Sequence, residues 1–131
     1  MPSVSPPEPP SRDPLVVLVV EDEFLLALDL ELVLERHGFR VLGPTATVAQ
    51  ALRLLEDGEP PDVALLDVNL KGEMVTPVAE ALRARGVPFV LASAYGSAQL
   101  LSAAVLAAAP KVSKPTSERR LLAALAEAVG R

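Results

Sequence analysis

Short apolar runs alternate with longer segments of helical character along this 131-residue chain. Residues 15–20 (LVVLVV) form an unbroken run of Leu and Val, too short for a helix and rich in the β-branched residues that suit a strand buried on both faces. Residues 24–37 are longer, carry acids at Asp29, Glu31 and Glu35, and end in Arg36, His37 and Gly38, a basic last turn with a glycine stop that predicts a helix. A second strand is expected over 40–43, then a helix capped by Thr45 or Thr47 that ends at Asp57 before Gly58. Residues 63–66 read as a third buried strand that runs straight into Asp67. Thr76 followed by Pro77 predicts an N-cap and first-turn proline, opening a helix through Ala84 or Arg85. The remainder predicts a strand over 89–92, an alanine-rich helix over 97–109 and a last strand over 110–113. A closing helix over 118–129 is capped by Ser117, with Leu121, Leu122, Leu125 and Val129 on one face.

Strand and helix alternate five times. Parallel strands buried on both faces need a crossover helix between each pair, so the pattern predicts an α/β fold with a doubly wound parallel sheet. In such sheets ligands collect beyond the carboxyl ends of the strands, where strand order reverses.

Composition narrows the function classes. The formal net charge of -5 provides no field for nucleic acid or an anionic membrane surface, and basic partners or cations suit it better. Aromatics at 3%, with no Trp, leave no stacking platform for single-stranded nucleic acid. The absence of cysteine excludes disulfides, thiolate catalysis and thiolate metal sites, and fits a cytoplasmic location. No apolar stretch reaches the roughly 18 residues of a membrane span. The first fourteen residues hold six prolines and lack the apolar centre of a secretion signal, so a flexible, extended tail over 1–14 is expected before a single folded unit over 15–131.

The chemistry lies at the predicted strand ends. Strand one ends in Glu21 and Asp22 with Glu23 beyond, strand three in Asp67 with Asn69 two further, strand four in Ser93, and strand five leads to Lys114 and Pro115. If these strands are neighbours, several carboxylates meet at one rim, and their repulsion calls for a cation. Magnesium fits, since it takes few protein oxygens: Asp22, Asp67 and a backbone carbonyl near Asn69 would serve. Beside such an ion Asp67 could act as a nucleophile and become an aspartyl phosphate, with Ser93 and Lys114 each bonding a phosphoryl oxygen. Pro115 biases Lys114 towards an extended conformation, which helps to aim its side chain.

This set resembles the receiver domain of bacterial response regulators in two-component signalling, over about 115 residues from Leu15 onward. The matching residues are the acidic pair Glu21 and Asp22, Asp67 at the phosphoacceptor position, Ser93 at the family's Thr/Ser position and Lys114 in its Lys-Pro pair. The resemblance implies a five-stranded, flavodoxin-like receiver fold of strand order 2-1-3-4-5, magnesium as cofactor, and phosphoryl transfer to Asp67 from a sensor histidine kinase or a phosphotransfer protein. No output domain follows, so a stand-alone receiver that signals by protein contact, rather than an enzyme, is expected. The stretch PFVLASAYG over 88–96 is similar to a single-domain subgroup with a Phe-Ala-Thr-Gly-Tyr signature, although Leu91, Ser93 and Ala94 replace its Phe, Thr and Gly.

Two departures stand out. Lys111 occupies the place of the family's aromatic switch residue, three positions before the lysine, which leaves Tyr95 as the candidate switch. The alanine-rich fourth helix region is also unlike the partner-binding surface usual in receivers. His37, the sole histidine, lacks partners for a metal site and suits the end of its helix.

Other readings fit the residues less well. A haloacid-dehalogenase-like phosphatase needs a second acid two residues after its nucleophile, where Asn69 stands, and its metal-binding acids follow the nucleophile rather than precede it. A flavodoxin-type cofactor role lacks a glycine-rich loop after strand one. A receiver-like binding module that is never phosphorylated leaves the five site positions unexplained.

Overall fold

The computed structural model describes residues 14–70, 72–94, 109–114 and 117–130. The proline-rich stretch over 1–13, Tyr95, Pro115 and all but the last residue of the alanine-rich helix expected over 97–109 lie outside the described residues.

Five strands build the main sheet: β1 (Val16–Val20), β2 (Arg40–Thr45), β3 (Val63–Asp67), β6 (Phe89–Ala94) and β7 (Lys111–Lys114). They lie in the order β2-β1-β3-β6-β7, and every neighbouring pair is parallel. With five principal strands, this is the expected 2-1-3-4-5 order. A two-stranded antiparallel hairpin, β4 (Asn69–Leu70) and β5 (Glu73–Met74), follows β3. The helices among the described residues are α1 (Phe24–Arg36), α2 (Val48–Asp57), α3 (Thr76–Ala84) and α4 (Glu118–Ala128). None is long and apolar enough to cross a membrane.

Side chains alternate across a strand, and each sheet face therefore has its own core. Leu18, Val20, Ala64, Leu66 and Leu91 pack with α2 and α3, whereas Val17, Val19, Leu65, Val90 and Val112 pack with α1 and α4. Burying a Leu or Val side chain stabilises by roughly 1.5–3 kcal/mol, and β1 is buried along its whole length. Such unbroken runs as LVVLVV are explained by helices on both faces.

Several boundaries differ from the sequence expectation. β2 extends to Thr45 rather than stopping at Gly43, because Val20 pairs with Thr45 after an irregularity in the ladder. Thr45 is consequently a buried strand residue, and Thr47 is the cap of α2, its hydroxyl accepting from the Gln50 backbone N–H at 3.1 Å. Thr76 is the first residue of α3 rather than its cap; Val75 holds that place with no side-chain cap bond. β6 runs past Ala92 to Ala94, and β7 reaches Lys114 rather than Ser113, since Ser93 pairs with Ser113 and Ala94 with Lys114. Ser117 does cap α4, accepting from the Arg120 N–H at 3.1 Å. The buried face of that helix is Leu121, Ala124 and Leu125, with Leu122 and Val129 half-buried at its margin.

Leu82→Ala in α3 removes a fully buried side chain and is expected to cost about 2–5 kcal/mol in urea unfolding. Thr47→Ala removes one capping bond and is expected to cost about 1 kcal/mol. Equal losses for the two would contradict this packing.

Candidate functional site

The carboxyl edges of β1, β3 and β7 bring three charged side chains together. Glu21 directly follows β1, and its backbone N–H donates to the Thr45 carbonyl at 2.9 Å, so the lengthened β2 fixes this residue. Asp67 ends β3, paired with Ala92 of β6. The chain is held again one residue later, where the Val68 N–H donates to the Ala92 carbonyl at 3.1 Å. The hairpin beyond it closes where the Val75 N–H donates to the Val68 carbonyl at 3.1 Å. Val68, Leu70 and Val75 are buried, which anchors that loop against the core.

Lys114 joins the acids. Its Nζ lies 3.0 Å from Glu21 Oε1 and 3.2 Å from Asp67 Oδ2. Glu21 and Asp67 are only 3% and 7% exposed, so these contacts are screened far less than surface pairs. The second Glu21 oxygen, Oε2, accepts from the Glu23 backbone N–H at 3.1 Å. Burial pushes the Glu21 carboxyl above its usual range, and the Asp67 charge adds to this; the bonds from Glu23 and Lys114 oppose the rise without cancelling it. For Lys114, burial pulls downward, but the hydrogen bond to Glu21 and the Asp67 and Glu21 charges together outweigh it and raise the ammonium above its ordinary value.

Glu21, Asp22 and Asp67 each place a carboxylate oxygen within 4.8 Å of the others. One ammonium against three carboxylates leaves negative charge in excess, and an all-oxygen donor set suits a hard divalent cation. The acids predicted to meet at the rim therefore do meet. Ser93 lies half-buried in β6 at the same edge, one residue beyond the partner of Asp67. Asn69 begins β4, two residues after Asp67. Lys111 is exposed, and its Nζ donates to the Ala109 carbonyl at 2.7 Å. His37 sits at the end of α1, where it and Arg36 both pair with Glu118.

A parallel sheet of this order with a carboxylate and lysine cluster at its carboxyl edge defines a receiver domain. The response regulator receiver domain family matches residues 17–126, and the chain belongs to that family, whose members are phosphoacceptors of two-component signalling rather than classical enzymes. The chain is 42% identical to SdrG from Sphingomonas melonis Fr1, whose solution structure aligns with a TM-score of 0.76 over 89% of this chain and 97% of that one. It is 31% identical over 81 residues to the phyllosphere-induced regulator PhyR of Methylorubrum extorquens, covering 60% of this chain and 30% of that protein. Against the sensory transduction protein RegX3 of Mycobacterium tuberculosis the identity is 37% over 109 residues, covering 82% of this chain and 47% of the relative. The chain thus spans less than half the length of these two curated relatives.

One surface escaped the sequence reading. Phe24, Leu25, Leu28 and Leu32 are 76%, 74%, 41% and 54% exposed, all on the outward side of α1. The available signal was an excess of apolar residues: FLLALDLELVLER has more of them than one buried face can use.

The raised Glu21 carboxyl carries a sign. A carboxyl titrating higher folded than unfolded lowers stability as pH rises from about 4.5 through its folded value. Metal-free protein should therefore show a falling stability limb in this window, compared with Glu21→Gln, and the difference between the two should vanish in more acid solution. A constant difference across the window would contradict the burial argument.

Proposed function

We propose that the protein accepts a phosphoryl group on Asp67 from a sensor histidine kinase or a phosphotransfer protein in a magnesium-dependent reaction, and relays the signal by protein contact in the cytoplasm. The observation that carries this reading is the Lys114 ammonium shared between Asp67 and Glu21 at the sheet edge. The receiver unit in this reading is residues 15–131.

An Asp67 carboxylate oxygen attacks the phosphorus of the donor. The new O–P bond forms as the P–N bond to the donor imidazole breaks, and the electron pair leaves on the imidazole nitrogen, which takes up a proton. Ionised Asp67 is the competent nucleophile, and the neighbouring ammonium favours that form. Lys114 then bonds a phosphoryl oxygen, and the Ser93 hydroxyl donates to another. Glu21, Asp22 and Asp67, with the backbone near Asn69, would hold magnesium, which when bound screens the phosphoryl charge. Tyr95 takes the switch role that Lys111 is unable to fill.

The exposed stripe of α1 supports a protein donor. Four large apolar side chains on one helix, beginning three residues after Glu21, mark an interaction surface. Leu28→Glu should slow transfer from the cognate kinase by ~10-fold or more while leaving labelling by acetyl phosphate unchanged. Equal loss with both donors would remove the stripe from docking.

Acetyl phosphate with magnesium should add one phosphoryl group to the wild type and none to Asp67→Asn. Label retained by the variant would move the acceptor elsewhere. Magnesium should also raise the melting temperature of the metal-free protein, and Asp22→Ala should erase that rise. An equal rise in both proteins would place the ion away from this cluster.

A further inference from the structure

A cavity of about 310 Å³ lies between α1 and α4, on the sheet face they cover. Its floor is Leu65, Ala92 and Val112, and its walls include Leu30, Val33 and Leu121. The volume falls at the lower end of the range for small-molecule sites, and an apolar lining with a few converging polar groups is the common form of such sites.

The charges around it are unevenly matched. Glu21 and Lys114 line the cavity and are paired with each other at 3.0 Å. Arg36 and Glu118 also line it, paired at 2.8 Å. Asp29 is exposed and lines the same cavity, yet among the described residues no hydrogen bond or ion pair engages it. Both cations of the lining have acid partners, whereas one carboxylate has no cation.

From this imbalance we infer that the cavity between α1 and α4 binds a small apolar cation, its body on the aliphatic floor and its ammonium or guanidinium group on Asp29. An anionic ligand would meet only cations already engaged, beside three carboxylates. A neutral ligand would leave Asp29 as it is. Lys114 and Glu21 belong to both the cavity and the acidic cluster, so the bound cation would be felt at the phosphoacceptor. That consequence rests on the phosphoacceptor reading of Asp67; the binding does not.

The test uses the full chain, free of metal and phosphoryl donor, titrated with phenethylammonium, 2-phenylethanol and 3-phenylpropanoate and followed by methyl NMR and calorimetry. Phenethylammonium should saturate, shift the methyl signals of Leu30, Val33, Val112 and Leu121, and bind roughly two- to fivefold more tightly than the alcohol, as an ion pair with an exposed carboxylate allows. The propanoate should bind more weakly than either. Asp29→Asn, an exposed change, should bring the ammonium down to the affinity of the alcohol, and Val112→Phe, which fills the floor, should abolish binding of both. No saturable binding, shifts confined to other methyls, an anion bound as tightly as the cation, or an Asp29→Asn protein with unchanged affinity would each overturn the proposal. Should Val112→Phe fail to fold, the methyl shifts and Asp29→Asn decide alone.

Discussion

Two nearly buried carboxylates, Glu21 and Asp67, share one ammonium, that of Lys114. Taking a carboxylate out of water costs several kcal/mol unless a counter-charge and hydrogen bonds replace the solvent. Here the replacement is incomplete, since Asp22 brings a third carboxylate within 4.8 Å while the lysine pairs with Glu21 and Asp67. The residual charge gives the rim its chemical character. An all-oxygen cluster of this charge suits a hard cation, and under the proposed function it surrounds the Asp67 oxygen that would take the phosphoryl group.

The rest of the chain makes that crowding tolerable. Two aliphatic cores, one on each sheet face, hold β1 and β3 at fixed spacing, and the ladder places Glu21 just past the end of β1 and Asp67 at the end of β3. Neither face contains a buried side-chain polar atom without a partner among the described residues, so unfavourable electrostatics are confined to the rim. This is a familiar division in α/β proteins, with the scaffold apolar and satisfied and the strand termini polar and charged.

Much of this was legible in the sequence, for particular physical reasons. The LVVLVV run could hardly be anything but a strand covered on both sides, and Asp67 followed its own apolar run directly. The acidic cluster followed from parallel strands having their carboxyl ends on one edge. What escaped were features set by pairing rather than pattern. β2 extends to Thr45 because β1 offers partners there, and nothing in RVLGPT announces it. The β4–β5 hairpin is too short for periodicity to register, and Ala124 is buried by the crossing of α4 over the sheet rather than by its own hydrophobicity. The α1–α4 bridge through Glu118 is invisible without tertiary contacts, since its partners are more than eighty positions away.

Sheet position also separates the parts of the cluster by freedom of movement. β1 and β3 each have a ladder on both sides, whereas β7 is an outermost strand bonded only to β6. The acids are therefore set in the stiff middle of the molecule and the lysine on its more yielding margin. A change of charge at Asp67 would be answered first by the flank, and whatever rests against that flank would learn of the event before the interior did.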